Sequence, residues 1–162
     1  MKKIIALALA AVLALGLMAG CGAEETTGGD TVNVCVVVSS TFGDRSFNDS
    51  AKEGADKLAA DYENISVSTI ECNNENFDAQ MQNAADTANI VVCVGWEFYN
   101  VETIALDYPD VYWIWVDNAT GAPVSNVLNI TYAQNEGSYL AGYIAAAMSE
   151  SGVIGAVGGE DS

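Results

Sequence analysis

The sequence predicts an α/β fold in three layers, with helices on both faces of a parallel β-sheet. Short β-branched runs recur along residues 32–131, and amphipathic stretches with helical spacing separate most of them. Such alternation with short connections is typical of parallel strands that are joined by helices. The runs are almost wholly apolar, as expected for strands that are buried on both faces.

Five runs are predicted to be strands because β-branched and aromatic residues dominate them. They are VNVCVVV (32–38), ISVSTI (65–70), NIVVCVG (89–95), VYWIWV (111–116) and NVLNIT (126–131). The fifth run follows the fourth across the polar loop 117–125, with no helical pattern between them.

The stretches between the first four runs repeat apolar residues every three or four positions, which predicts three amphipathic helices. The first helix begins near Phe47, the second begins near Phe77, and the third spans about 97–107. The inward-facing positions are Ala51, Gly54, Ala55, Leu58, Ala59 and Tyr62 in the first, Phe77, Met81, Ala84, Ala85 and Ala88 in the second, and Phe98, Val101 and Ala105 in the third.

Two further elements are predicted after the fifth strand. Residues 135–149 show the spacing of a longer helix, and VIGAV at 153–157 has the composition of a buried strand. One helix and one strand do not bury their apolar faces alone. We therefore expect either that this strand joins the first sheet or that it belongs to a second domain whose remainder is missing.

The amino-terminal residues predict export and attachment to a membrane. Residues 1–20 have two lysines, a long apolar stretch and then small residues, which is the layout of a secretory signal peptide. The next residue is Cys21, and LMAGC resembles a bacterial lipobox, in which this cysteine is lipidated; the alternative is an uncleaved anchor. Residues 21–31 then predict a flexible tether. A lipid on Cys21 would hold the protein at the extracytoplasmic face of the cell membrane.

The charge of the chain excludes partners that are rich in phosphate. There are 22 acidic and five basic residues, and the formal net charge is −17. Two of the bases lie in residues 1–20, so the part after Cys21 has a net charge near −19. Nucleic acid would be repelled by this charge and is not expected to bind.

The sequence gives little support for catalysis or for a cofactor. The chain has no histidine, which excludes Ser-His and Cys-His pairs. The P-loop, G-x-G-x-x-G and G-x-S-x-G motifs are absent, and CNNENFD (72–78) lacks the spacing of a calcium loop. The acidic residues are scattered along the chain, and paired-carboxylate chemistry stays an open alternative. No metal site is predicted.

Three cysteines, Cys35, Cys72 and Cys93, remain after Cys21. Their spacing fits neither a zinc knuckle nor a C-x-x-C redox motif, and two of them lie within apolar runs. We expect buried free thiols, and the alternative is one disulfide with one thiol left over.

Ligands of open parallel sheets bind at the carboxyl ends of the strands. Here those ends carry residues 39–47, 72–76, 95–97 and 117–120, which the predicted fold would bring to one edge. The polar residues in and beside these segments are Ser39, Ser40, Asp44, Ser46, Asn48, Asn73, Asn74, Glu97, Asp117 and Asn118, and the aromatic residues are Phe42, Phe47 and Trp96.

Each of the prominent side chains in these segments has two interpretations. Asp44 is expected either to cap the helix that begins near Phe47 or to face a ligand. Trp96 is expected either to stack on a planar ring or to pack at the surface. Asp117 directly follows the apolar WIWV, where a carboxylate can accept two hydrogen bonds from a diol or an amine.

Four segments, taken in order, resemble a known family. They are GDRSFNDSAKEG (43–54), YPDVYWIWVD (108–117), NEGSYLAGYIAA (135–146) and IGAVGG (154–159). Across 32–159 the chain resembles the basic membrane protein family, the purine-nucleoside-receptor-like substrate-binding lipoproteins of ABC importers. The resemblance implies a two-lobed type I periplasmic-binding-protein fold. The first lobe would be 32–131, and 132–162 would hold the hinge and the start of a second lobe, so that the chain is an N-terminal portion.

The resemblance also implies a function. The protein would bind a nucleoside or a similar small neutral solute without catalysis and deliver it to an ABC permease. The ligand-binding residues carried over by position are Phe42, Asp44, Asn48, Trp96 and Asp117. Two other classes stay open: a surface-anchored sensor or interaction module, and an enzyme with a flavodoxin-like fold.

Overall fold

The computed structural model describes residues 31–72, 76–119, 121 and 123–158. The predicted signal peptide, Cys21 and most of the predicted tether lie outside these residues, as do Asn73 and Asn74. The residues from Val32 onward form one compact unit. Within the described ranges, no helix has the length and apolar character needed to cross a bilayer.

The described residues contain a five-stranded parallel sheet with the strand order β2-β1-β3-β4-β5. This arrangement confirms the predicted α/β class with a parallel sheet. The strands are β1 (Val32–Val38), β2 (Ile65–Glu71), β3 (Ile90–Val94), β4 (Tyr112–Val116) and β5 (Val127–Ile130). The helices are α1 (Phe47–Asp61), α2 (Phe77–Ala85), α3 (Val101–Ala105) and α4 (Gln134–Met148).

The single helix predicted at about 97–107 is interrupted. A 3₁₀ turn at Trp96–Phe98 precedes the short helix α3, and Asn100 lies between them with φ −90° and ψ 2°. Its side-chain nitrogen donates to both carboxylate oxygens of Asp78, at 3.2 and 2.9 Å. Its carbonyl accepts from the amides of Thr103 and Ile104. Asn100 therefore starts a new helix instead of continuing the turn.

The larger core lies on the sheet face that α2 and α3 cover. Successive strand residues point to opposite faces, so Cys35, Cys93, Trp113 and Trp115 share this face. Both tryptophans are almost fully buried, at 1% and 0% exposure. Cys35, Cys72 and Cys93 are buried and unpaired, which confirms the prediction of free thiols.

The opposite face of the sheet is covered by α1 and is more open. Its smaller core contains Val36, Val38, Ala55 and Val94. A groove of about 380 Å³ runs between α1 and the neighbouring strands, and Leu58 and Val116 are among its lining residues. Apolar side chains of β5, such as Leu128, remain exposed on this face of the sheet.

The carboxyl-terminal part differs from the prediction in one element. Helix α4 forms as expected, but none of its residues is buried. The strand predicted at 153–157 is wrong, because residues 153–158 have no regular secondary structure and are exposed. A strand needs a neighbour to pair its backbone amides and carbonyls, and no described strand lies beside this segment.

Candidate functional site

The carboxyl ends of β1, β3 and β4 meet at one edge because these strands are parallel neighbours. We call this edge the rim and define it as residues 39–49, 71–72, 76–78, 95–99 and 117–119. It includes all five residues predicted to bind a ligand. The parallel topology thus places them at the same edge of the sheet, as the sequence predicts.

Asp44 supports the loop before α1. Its carboxylate accepts hydrogen bonds from the amides of Ser46, Asn48 and Asp49 at 2.9, 3.0 and 3.1 Å. The amide of Ser46, followed by that of Asn48, holds the pKa of this exposed carboxyl below its usual value. The structure therefore places Asp44 in the capping role, one of its two predicted roles.

Two further carboxylates bind the amides of the same loop. Asp49 accepts from the amides of Gly43 and Arg45 at 2.6 and 2.8 Å. Glu71 accepts from the amide of Phe42. The backbone donors of this loop are thus largely engaged by acidic side chains of the protein itself.

Phe42 is partly buried beside the smaller core, and Asn48 on α1 is buried. Phe42 packs against that core, and the Lys52 ammonium lies 6.0 Å from the centroid of its ring. Asn48 is only 6% exposed, and its Oδ1 has no hydrogen-bond partner within the described part of the chain. A buried acceptor without a partner is costly, and a donor from a solute would relieve that cost.

Trp96 lies in the open at the rim. It is 48% exposed, whereas Phe98 in the same 3₁₀ turn is fully buried and meets Phe77 edge to face with ring centroids 5.4 Å apart. The carbonyl of Gly95 accepts from Trp115 Nε1 at 2.8 Å, which ties the start of the turn to the core. The turn is thus anchored on both sides of an accessible indole.

Glu97 was not among the predicted ligand-binding residues. Its Oε2 is shielded from solvent and has no hydrogen-bond partner among the described residues. A Cβ at position 95 would overlap this carboxylate, so the glycine leaves room for it. Burial, then Cys35 and then the charge of Glu97 raise the pKa of Cys72 to about 11. The sequence signal for Glu97 was its position at the end of the third strand.

Asp117 has an unusual backbone conformation and two partners. Its φ is 72°, in the left-handed region, which costs a non-glycine residue about 1–3 kcal/mol. Its amide donates to the carbonyl of Ile130 at 2.8 Å, and its Oδ1 accepts from Gln134 Nε2 at 2.6 Å. Asp117 therefore joins both ends of the connection between β5 and α4. Nothing in the sequence pattern marks Gln134 as its partner.

The rim can offer acceptors and an aromatic surface to a ligand. The acceptors are Asn48 Oδ1, Glu97 and the carboxylate of Asp117, and the aromatic surface is Trp96. No group of three or more metal-ligating side chains that could hold a metal ion occurs in the residues that the structure describes. This arrangement suits a planar solute that donates hydrogen bonds.

The sequence is similar to known proteins over most of its length. The family model Bmp, described as ABC transporter substrate-binding protein PnrA-like, matches residues 31–162. Basic membrane protein A of Borreliella burgdorferi is 29% identical over an alignment of 143 residues that covers 86% of this chain and 42% of that protein. An uncharacterized lipoprotein of Pyrococcus furiosus is 30% identical over an alignment 173 positions long that covers 99% of this chain and 42% of that protein.

The fold is also similar to solved structures. An ABC transporter system solute-binding protein from Aeropyrum pernix K1 superposes with a TM-score of 0.61 at 27% identity. The match covers 71% of this chain and 32% of that chain. The chain thus spans less than half the length of these relatives.

Proposed function

Because the chain belongs to the PnrA-like family of ABC transporter substrate-binding proteins, we propose that it binds a nucleoside or a similar small neutral solute and presents it to an ABC permease. The solute is bound and released without a catalytic step. The observation that carries this proposal is the rim, where an exposed indole and unpaired acceptors lie at the carboxyl ends of adjacent parallel strands.

Each predicted ligand-binding residue has a role in this proposal. Trp96 provides a surface on which the base stacks, because its indole is accessible. Asn48 and Asp117 accept hydrogen bonds from the sugar or the base. Phe42 contributes an apolar edge, and Asp44 acts mainly by fixing the loop that carries Phe42.

The proposal includes attachment to the cell membrane. Residues 1–20 would direct export, a lipid on Cys21 would anchor the protein, and residues 22–31 would tether it on the extracytoplasmic side. Support comes from the lipobox-like LMAGC segment and from the similarity to a lipoprotein of Pyrococcus furiosus. Mass spectrometry of the protein isolated from bacterial membranes should find diacylglycerol on Cys21, and an unmodified Cys21 would contradict the anchor.

Binding can be tested with residues 22–162, which include the compact unit from Val32 onward. We expect adenosine, inosine, cytidine or uridine to shift the amide resonances of the rim in a saturable manner. The absence of such shifts with every nucleoside at millimolar concentration would contradict the proposal. Amide shifts are the suitable measurement because they detect weak binding.

The role of Asp117 gives a sharper test. We expect Asp117→Ala to weaken binding about tenfold to a hundredfold, because a hydrogen bond to a charged group contributes about 1.5–3 kcal/mol. The matched control is Asp110→Ala, which removes an equal charge from an exposed position before β4. Unchanged affinity in the Asp117 variant would assign Asp117 a structural role only.

A further inference from the structure

The carboxylates of the rim differ in whether the protein itself supplies them with a hydrogen-bond donor. Most of them accept at least one hydrogen bond from a described residue. These satisfied carboxylates are Asp44, Asp49, Glu71, Asp78 and Asp117. Glu97 is the exception within the described part of the rim, and its buried Oε2 has no partner.

An unpartnered carboxylate oxygen in a buried position is energetically unfavourable and needs a physical explanation. Glu97 is not at a random surface position, because it follows Trp96 in the 3₁₀ turn. It also lines a cavity of about 340 Å³ beside the start of α2. Phe77, Asp78 and Tyr99 are among the other lining residues. The carboxylate therefore borders a space that is large enough for part of a solute.

The surroundings of Glu97 favour a solute group that donates a hydrogen bond over one that accepts it. Among the described residues that line this cavity there is no lysine or arginine. Asp78 adds a second carboxylate to the same cavity, and its oxygens already accept from Asn100. A solute that presents a carbonyl or a phosphate here would meet negative charge, whereas an N–H group would find an acceptor.

We propose that Glu97 is a ligand-binding residue whose carboxylate accepts a hydrogen bond from an amino group on the ring of the solute. Trp96 and Glu97 are consecutive in the 3₁₀ turn, and in this proposal the ring stacks on the indole with its amino edge directed toward the cavity that Glu97 lines. The inference rests on the proposed function and adds a preference to it. Bases that carry an exocyclic amino group bind better than bases that lack it.

Matched nucleosides test this preference with residues 22–162. Adenosine is compared with purine riboside, which lacks only the amino group, and cytidine is compared with uridine. We expect the amino-bearing member of each pair to bind about tenfold more tightly, as one charge-assisted hydrogen bond predicts. Glu97→Gln should reduce that ratio to near one, and the matched control Glu53→Gln, an exposed position on α1, should retain it.

A measurement without any substitution covers the case in which the variant does not fold. The ¹³C resonance of the Glu97 carboxyl group in the unaltered chain should shift on addition of adenosine and stay unchanged with purine riboside. Equal affinities within both pairs, a preference that persists in Glu97→Gln, or an unresponsive carboxyl resonance would overturn this inference while leaving nucleoside binding intact. Failure of every nucleoside to bind would overturn the inference and the proposed function together.

Discussion

Gly95 lies at a position of the rim that does not accommodate a side chain. Its φ of 124° and ψ of 160° belong to a region that is essentially reserved for glycine. The place that a Cβ would occupy is filled by the carboxylate of Glu97. Two separate constraints, one of backbone conformation and one of space, therefore require glycine at this position.

We expect Gly95→Ala to lower the free energy of unfolding by about 1–3 kcal/mol, because both constraints oppose a methyl group. Urea unfolding followed by tryptophan fluorescence measures the change. The matched control is Gly54→Ala within α1, where no atom lies within 4 Å of the added Cβ. That variant should gain about 0.5–1 kcal/mol from helix propensity. A Gly95 variant as stable as the parent would refute the overlap with Glu97.

Helix α1 depends on a carboxylate that precedes it in the chain. Asp44 accepts from three amides at the helix start, and these bonds lower its pKa below the ordinary 3.8. A carboxyl group with a lowered pKa stabilises the folded state above its unfolded pKa. That contribution is lost as the pH falls through the lower folded pKa. The start of α1 is thus expected to weaken in acid.

We expect the amide resonances of Ser46, Asn48 and Asp49 to move together as the pH falls below 3.8, when Asp44 becomes protonated. In Asp44→Asn this common transition should be absent, and stability to urea should depend less on pH between about pH 5 and pH 2. Asp110→Asn serves as the control for loss of one exposed acid. An unaltered pH dependence in Asp44→Asn would show that the cap contributes nothing.

Elements whose structure follows from local pattern were predicted well. All five strands and helices α1, α2 and α4 lie close to their predicted positions, because burial against the sheet is visible in the spacing of apolar residues. The break at Asn100 could not be predicted, since its partner Asp78 lies 22 residues earlier in the chain. The strand predicted for VIGAV at 153–157 is wrong because the local pattern alone was not sufficient. Its composition is strand-like, but strand formation needs a pairing neighbour.

The sequence predicted where the candidate site lies but not how its side chains are hydrogen-bonded. Parallel topology was enough to bring Asp44, Trp96 and Asp117 to one rim. It could not reveal which acceptors remain free, because this depends on how individual loop amides are paired. Asp44 and Glu97 were both visible as rim acids, yet only the structure separates a carboxylate with three donors from one with none.

At the scale of the whole molecule, two of the exposed apolar surfaces among the described residues bear on self-association. Helix α4 has no buried residue, and Leu140 and Ile144 are 60% and 56% exposed. The groove beside α1 is also lined mainly by apolar residues. We expect residues 22–162 to associate as concentration rises, because exposed apolar faces of this kind favour contact.

Sedimentation velocity over a range of concentrations measures this association. Replacing Leu140 and Ile144 together by lysine should abolish it, since no α4 residue contributes to the described core. Replacing Lys52 and Lys57 by glutamine on α1 provides a control that alters charge without altering the apolar faces. A monomer at all concentrations would show that α4 does not mediate contacts.

We expect residues 22–162 to bind a nucleoside only weakly. One rim can contact one face of a ring, and each further aromatic contact is worth about 0.5–1.5 kcal/mol beyond the area that it buries. Titration calorimetry with adenosine should give a dissociation constant well above the micromolar range. Submicromolar binding by the monomer would show that a single rim suffices.

The two bonds of Asp117 have a mechanical consequence. Its amide donates to Ile130, the last residue of β5, and its carboxylate accepts from Gln134, the first residue of α4. One residue therefore fixes the path of the chain as it leaves the sheet. A solute that takes the place of Gln134 Nε2 on Oδ1 displaces that side chain. Thermodynamic linkage is reciprocal. If the bond between Asp117 and Gln134 lowers the affinity for the solute, bound solute weakens the attachment of α4 to Asp117 by the same free energy. Binding of a solute at the rim and release of α4 from Asp117 are then coupled in a single equilibrium.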